Sequence, residues 1–166
     1  MISITITGNR TGLKVPIYQF RGRRGDKRFV PTFAAFAVCS RTGERLEFAV
    51  VRFSSKHVFG ATPSNIYDED GECPPSARVP YHGIVREDGP VGFRIQLFEG
   101  GCEHKQTLRG RGPVVRKHVQ LHVGEGASYG CIMVAGRRRW YHAVFAKKLR
   151  TMLKRNQSIR VVVQPR

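Results

Sequence analysis

The chain has 166 residues, a length typical of one domain, and its 40% apolar content is enough to build a hydrophobic core. It carries 29 Lys and Arg against 12 Asp and Glu, a net charge of +17, which favours nucleic acid, anionic lipid or an acidic cell-wall polymer as partner. No apolar run approaches the roughly 18 residues of a transmembrane helix, and the N-terminus lacks the features of a secretory signal. The sequence therefore predicts a single domain over 1–166 with no membrane span.

The first half of the chain alternates apolar and polar residues, which is typical of half-buried β-strands. Strands are predicted at 2–7, 13–20, 29–39 and 46–53, with turns at 8–12, 21–28 and 40–44. Successive hairpins would join them into antiparallel structure. Residues 1–30 form a β extension to which the sequence assigns no role, and the polar, proline-containing stretch 56–80 is predicted to be a surface loop.

The second half predicts more strands and one late helix. Strands are predicted at 81–86, 91–98, 117–123 and 158–164, and a basic loop at 99–116. A helix is predicted from about 138 to 155, because Phe145, Leu149 and Met152 recur at intervals of three and four residues. The fold class is mainly β: an antiparallel sandwich or barrel with one C-terminal helix followed by a closing strand.

A histidine and a cysteine stand out because their spacing suits nucleophilic catalysis. His122 ends an apolar alternating strand, and Cys131 follows nine positions later, after a glycine-rich loop. A thiol attacks as the thiolate, and a nearby imidazole lowers its pKa or takes its proton. Taken alone, Cys131 could instead be a buried structural thiol.

The segment 119–136, VQLHVGEGASYGCIMVAG, resembles the L,D-transpeptidase catalytic domain. In that family a histidine ends a strand, and Ser-His-Gly-Cys with an aliphatic residue follows a variable loop. Here His122 matches the first histidine. The later motif is matched, with a tyrosine in place of its own histidine, by Ser128, Tyr129, Gly130, Cys131 and Ile132.

Weaker similarity at 73–81 and 111–124 extends the resemblance to roughly 35–164. It is closest to the compact versions that type VI secretion systems deliver as effectors. The resemblance implies an L,D-transpeptidase fold that acts on peptidoglycan stem peptides and needs no metal or cofactor.

The resemblance also implies the roles of individual residues. Cys131 would attack the carbonyl between the third, L-centred residue and the following D-residue, with His122 as the base. Backbone amides near Tyr129, Gly130 and Cys131 would hold the oxyanion, and Ser128 would line the cleft. The thioester would pass to water, to a D-amino acid or to a second stem peptide, as in carboxypeptidase, exchange or cross-linking activity.

Several basic side chains are candidates for binding the carboxylates of a stem peptide, since a guanidinium matches carboxylate geometry. The alternative for each is membership of a generally basic surface. The candidates are Arg94, Arg111, Arg116, His118 and His82.

Two other functional classes compete with this interpretation. A papain-type or amidase-type peptidase usually has its cysteine before its histidine, the reverse of the order here. A non-catalytic nucleic-acid-binding β-domain fits the charge, but no zinc finger, RNP-like signature or helix-turn-helix is present in the sequence.

The expected setting is a toxin that is made in the cytoplasm and acts in a neighbour's periplasm or cell wall after delivery by a secretion system. An immunity or delivery protein would be its partner. A phage lysis protein or a housekeeping enzyme without its leader would look the same. Cys73 and Cys102 are the pair expected to meet if the chain forms a disulfide.

Overall fold

The computed structural model describes residues 1–18, 27–52, 80–89, 92–98, 107–109, 115–117, 120–123, 131–153 and 158–164, with the backbone alone at 17–18, 27–28, 107–109 and 115–117. Ten strands occur in these ranges: β1 (Ile2–Tyr18), β2 (Lys27–Cys39), β3 (Arg45–Val51), β4 (Tyr81–Arg86), β5 (Arg94–Phe98), β6 (Thr107–Arg109), β7 (Val115–Lys117), β8 (Gln120–Val123), β9 (Ile132–Val134) and β10 (Ile159–Val163).

Eight strands of the described part of the chain form a closed barrel in the order β1-β10-β4-β5-β8-β9-β3-β2. Most neighbours are antiparallel, but β1 runs parallel to β10 and β8 runs parallel to β9. The predicted mainly β class, with a late helix and a closing strand, is confirmed. The prediction of an antiparallel architecture is wrong at the two parallel pairs, because period-two alternation gives strand faces and not strand directions.

The barrel core follows from alternation along the strands. Ile2, Ile4 and Ile6 of β1 are fully buried, and the residues between them face outward. The C-terminal helix contributes Phe145, whose ring meets Phe48 of β3 edge to face with 4.9 Å between centroids. Burying an aromatic side chain of this size contributes about 1.5–3 kcal/mol, so the helix is part of the core and not an appendage.

The C-terminal helix consists of three consecutive segments, α-helical Arg138–Trp140, π-helical Tyr141–Ala146 and α-helical Lys147–Met152. The prediction of a helix at this place is confirmed. In the π segment the buried Tyr141 donates its hydroxyl proton to the carbonyl of Phe93. Burial raises the pKa of Tyr141 above its usual range, so this donor stays protonated.

Strand β1 differs from the prediction at residues 8–12, where a reverse turn was expected. The strand continues from Ile2 to Tyr18, and its register with β2 shifts between Ile6 and Arg10 and again between Arg10 and Lys14. Gly12 has a φ of 88°, a conformation that glycine adopts without strain. The turn-forming residues therefore produce bulges that bend the strand, and the chain does not reverse there.

The predicted basic loop at 99–116 is also wrong in part. Thr107–Arg109 and Val115–Lys117 pair as a two-stranded antiparallel sheet, β6–β7. Of the predicted surface loop at 56–80, residues 56–79 lie outside the described residues. Among the residues that are described, no helix has the length and apolar character needed to cross a bilayer.

A buried arginine links three strands at one end of the barrel. Arg52 follows β3 and is only 2% exposed. Its Nη1 donates to the carbonyl of Thr7 at 2.9 Å, and its Nη2 donates to the carbonyl of Gln164 at 2.7 Å. The guanidinium carbon lies 5.4 Å from the centroid of the Phe33 ring. Arg52 therefore joins the ends of β3 and β10 to the middle of β1.

Candidate functional site

The candidate base, His122, lies on the outer face of β8. Its neighbours Leu121 and Val123 are buried in the barrel core, so alternation directs the imidazole away from the core. The residue is half-buried, which leaves part of its surface accessible. The strand thus fixes the direction of the ring.

The candidate nucleophile, Cys131, lies on the neighbouring strand. It directly precedes β9, where Ile132 and Val134 face the core and Met133 faces outward as the ladder partner of His122. Continuing this alternation by one residue puts Cys131 on the same outer face as His122. Cys131 carries a half-buried thiol.

The register gives the separation of the two residues. Leu121 pairs with Ile132 and His122 with Met133, so Cys131 lies opposite Gln120 and diagonal to His122. Diagonal neighbours on one face of a sheet have Cα atoms about 7–8 Å apart, within reach of an aromatic-sized side chain. The structure therefore brings the two sequence-predicted catalytic residues to neighbouring positions on one surface.

The hydrogen bonding of His122 fixes which ring nitrogen carries the proton. Its Nδ1 lies 2.7 Å from the carbonyl oxygen of Val123. A carbonyl only accepts, so Nδ1 carries the proton and Nε2 keeps the lone pair in the neutral ring. Burial, assisted by the charge of Arg94, lowers the pKa of His122 from its ordinary 6.5, although the bond to Val123 opposes this shift. The ring is therefore neutral at pH 7 and suited to accept a proton.

Arg94 is the neighbour of His122 on the other side. Ile95 pairs with Leu121, and the next pair in this antiparallel register joins Arg94 to His122. The guanidinium is held by the β4–β5 turn: it donates to the carbonyls of Asp88 and Gly92 and forms an ion pair of 3.2 Å with the Asp88 carboxylate. These contacts fix a positive charge beside the imidazole, and a role of Arg94 in binding substrate carboxylates stays a prediction.

Replacing Arg94 with glutamine should raise the pKa of His122, because a fixed positive charge that disfavours the imidazolium is removed. The measurement is a nuclear magnetic resonance titration of the His122 ring protons in both proteins. Exposed Arg150, which is bound to Glu87 on the helix side, provides the matched control Arg150→Gln. An unchanged His122 titration in Arg94→Gln would contradict the electrostatic coupling.

His82 is separated from the candidate pair. It faces outward on β4, where it pairs with Phe98, while Arg86 pairs with Arg94 at the level of His122. Two strand spacings of about 4.8 Å and four residues of about 3.3 Å give roughly 16 Å between His82 and His122. His82 instead lines an open cavity of about 430 Å³ together with Leu153 and Ser158. The structure therefore does not bring His82 to the candidate pair, and its role in binding substrate carboxylates stays a prediction.

The side chains of the remaining predicted site residues lie outside the described part of the chain. Only the backbone of Arg116 is described, in β7, and the following predicted residues lie outside the described ranges: Arg111, His118, Ser128, Tyr129, Gly130, Cys73 and Cys102. In the part of the chain that is described, no three His, Cys, Asp or Glu side chains cluster as metal ligands would.

A polar residue that the sequence analysis did not select lies beside the pair. Gln96 faces outward on β5 opposite Gln120, yet it is only 5% exposed. The Nε of Arg86 donates to its Oε1 at 3.4 Å. A buried carboxamide needs hydrogen-bond partners, and the bond from Arg86 on β4 supplies one of them. The only sequence signal was the alternation of polar and apolar residues along β5.

Comparison of the chain with protein-family models, with curated proteins and with solved structures gave no match.

Proposed function

We propose that this protein is a cysteine-dependent enzyme of the L,D-transpeptidase type that acts on peptidoglycan stem peptides. The observation that carries the proposal is the diagonal placement of His122 and Cys131 on the outer face of the parallel β8–β9 pair. The neutral state of the imidazole, with its lone pair on Nε2, supports the same chemistry. The substrate class comes from the resemblance of the 119–136 segment.

The proposed reaction begins with proton transfer from the Cys131 thiol to Nε2 of His122. The sulfur attacks the carbonyl carbon between the third residue and the terminal D-residue, and the carbonyl becomes a tetrahedral oxyanion. When the oxyanion collapses, the C–N bond breaks and the imidazolium returns the proton to the leaving amine. The resulting thioester passes to water, to a D-amino acid or to the amine of a second stem.

Arg94 influences the base in this scheme, because it lies opposite His122 on the neighbouring strand β5. Burial is the main cause of the lowered pKa of His122, and the fixed charge of Arg94 adds to it, so the imidazole is neutral before attack. The positive charge also destabilises the imidazolium, and this favours transfer of the proton from the imidazolium to the leaving amine. In this scheme Arg94 acts through His122 as a positioning residue, and Asp88 holds its guanidinium in place.

The setting that we propose is delivery into the periplasm of a neighbouring cell, with the protein acting as an antibacterial effector. It rests on the resemblance to type VI effectors and on the net charge of +17, which suits an anionic envelope. An acidic immunity or delivery protein would complement that charge.

The test is to incubate the purified protein with tetrapeptide muropeptides and to read the products by mass spectrometry. Loss of the D-residue, its replacement by an added D-amino acid, or a new dimer would each support the proposal and identify the acceptor. Cys131→Ala is expected to give none of these products, since the thioester cannot form.

Product formation by Cys131→Ala at the parental rate would contradict the proposed nucleophile. Unchanged muropeptides with the parental protein, after iodoacetamide has shown Cys131 to be reduced and reachable, would remove the enzymatic proposal altogether. A thiolate activated by His122 should react with iodoacetamide well below the ordinary thiol pKa of about 8.5.

A further inference from the structure

Strands β1 and β2 continue beyond the barrel as a two-stranded ribbon, formed by residues 8–18 and 27–32. Pairing resumes after the two register shifts at Lys14 and Pro31 and continues to Tyr18 and Lys27. Thr32 supports the bend, because its hydroxyl donates to the carbonyl of Leu13 at 3.0 Å. The ribbon belongs to the N-terminal extension to which the sequence assigned no role.

The inner face of the ribbon packs against β3 and against β9, the strand that Cys131 directly precedes. Val15 and Val30 are ladder partners, and both pack on the buried pair Met133 and Val51. Met133 is the ladder partner of His122 and comes two residues after Cys131. The ribbon is therefore anchored directly beside the candidate nucleophile.

The outer face of the ribbon combines positive charge with exposed apolar surface. Since alternate residues face opposite ways, Lys14 and Phe29 lie on the side opposite Val15 and Val30. Phe29 is 59% exposed, and Leu13 in the bulge is 65% exposed. Few large apolar side chains in the described part of the chain are exposed to this degree.

The charge around this face is strongly one-sided. Arg10 and Lys14 are exposed, and Asp26 is the only acidic residue in the first 43 positions of the sequence. The rings of Pro16 and Pro31 lie on the same outer face and add to its apolar surface. The face thus suits a carboxylate-bearing partner with apolar ring surfaces.

We propose that the outer face of the ribbon binds the peptidoglycan polymer next to the candidate site. Phe29 packs against the apolar face of a sugar ring, and Arg10 and Lys14 pair with the carboxylates of stem peptides. The inference rests on the proposed function for the identity of the polymer. Because the ribbon is anchored beside Cys131, a polymer bound to it would place its stem peptides near the nucleophile and raise the local substrate concentration.

The experiment is co-sedimentation with purified, insoluble peptidoglycan, carried out on Cys131→Ala so that turnover does not remove binding sites. The variant Lys14→Glu/Phe29→Ala is expected to bind about tenfold more weakly than its parent, because one charge is reversed and one exposed aromatic is removed. The matched control is Val144→Ala/Lys147→Glu on the exposed face of the C-terminal helix, which makes the same charge reversal and truncates another exposed apolar side chain. It should bind within about twofold of the parent.

Equal binding by the ribbon variant and its parent would overturn the proposal, provided that circular dichroism shows both to be folded. Failure of the parent to co-sediment with peptidoglycan would also overturn the proposal. Preferential release of the parent from peptidoglycan by single-stranded DNA would overturn it as well, and would indicate that the ribbon binds nucleic acid. Failure of the proposed function looks different. If Cys131→Ala co-sediments and the ribbon substitutions weaken this binding, while the unmodified chain leaves muropeptides unchanged, the binding proposal stands and the enzymatic proposal fails.

Discussion

Replacing His122 with glutamine is expected to slow release of the D-residue from stem peptides by about 10²–10⁴-fold, the usual contribution of a general base. Glutamine keeps a polar side chain on the outer face of β8 but has no basic nitrogen to accept the thiol proton. The rate should be measured as single turnover with excess protein, so that product release does not mask the chemical step.

The pH dependence adds a second readout for the same variant. Burial and the charge of Arg94 lower the pKa of His122 from 6.5, so most of the imidazole is still neutral at pH 6.5. The rate should therefore begin to decrease only at pH values below 6.5, where the base becomes protonated. In His122→Gln this acid limb of the rate profile should disappear together with most of the rate. The control is His142→Gln, because His142 lies on the C-terminal helix beside Gly92 and should leave the rate and the acid limb as they are.

A loss in His142→Gln as large as that in His122→Gln would show that any histidine change disturbs the fold, and would count against His122 as the base. An unchanged rate in His122→Gln would remove His122 from the mechanism directly. Either result leaves the Cys131→Ala comparison interpretable, because it tests the nucleophile independently.

The sequence predicted the parts of the fold that depend on local alternation. Strands at β2, β3, β4 and β10 lie within two residues of their predicted bounds, because each alternates buried and exposed residues. Local pattern could not tell a bulge from a turn at 8–12, since glycine and asparagine serve both, and the flanking pairing with β2 decides the outcome. The π-helical segment has no composition signal of its own.

The candidate site was predicted only as a spacing of residues. His122 and Cys131 share a face because β8 pairs in parallel with β9. No residue between the two in the sequence predicts this pairing or its register. The position of Arg94 opposite His122 likewise depends on the register of β5 with β8. Its turn contacts hold its charge beside the imidazole, and its role as a substrate ligand stays a prediction.

Burial of Arg52 was also beyond sequence reasoning, because its two carbonyl partners are 45 and 112 residues away in the chain. An arginine after an apolar strand ordinarily reaches solvent, and only closure of the barrel brings Thr7 and Gln164 within its reach. The closed barrel thus creates an internal site for a charge that no local pattern predicts. The consequence for stability is large.

Replacing Arg52 with methionine is expected to lower the free energy of unfolding by about 2–4 kcal/mol. Methionine fills much of the same space, but the carbonyl of buried Thr7 loses its donor, and a carbonyl buried without a partner costs about 1–3 kcal/mol. The carbonyl of Gln164, an exposed residue, loses its bond to Arg52 as well. The contact of the guanidinium with Phe33 is lost as well. Urea unfolding should show a lower midpoint at an unchanged slope.

The matched control is Arg45→Met, at the other end of the same strand. Arg45 is exposed, pairs with Glu47 at 2.9 Å and stacks over Phe36, all at the surface, so its replacement should cost less than about 1 kcal/mol. Equal midpoints for Arg52→Met and the parent would mean that water reaches the carbonyl of Thr7 and that the barrel end is open. In that case β3 would not be fixed against β1 and β10, and the start of β9, with Cys131 beside it, would lose the rigid neighbour that the proposed chemistry requires.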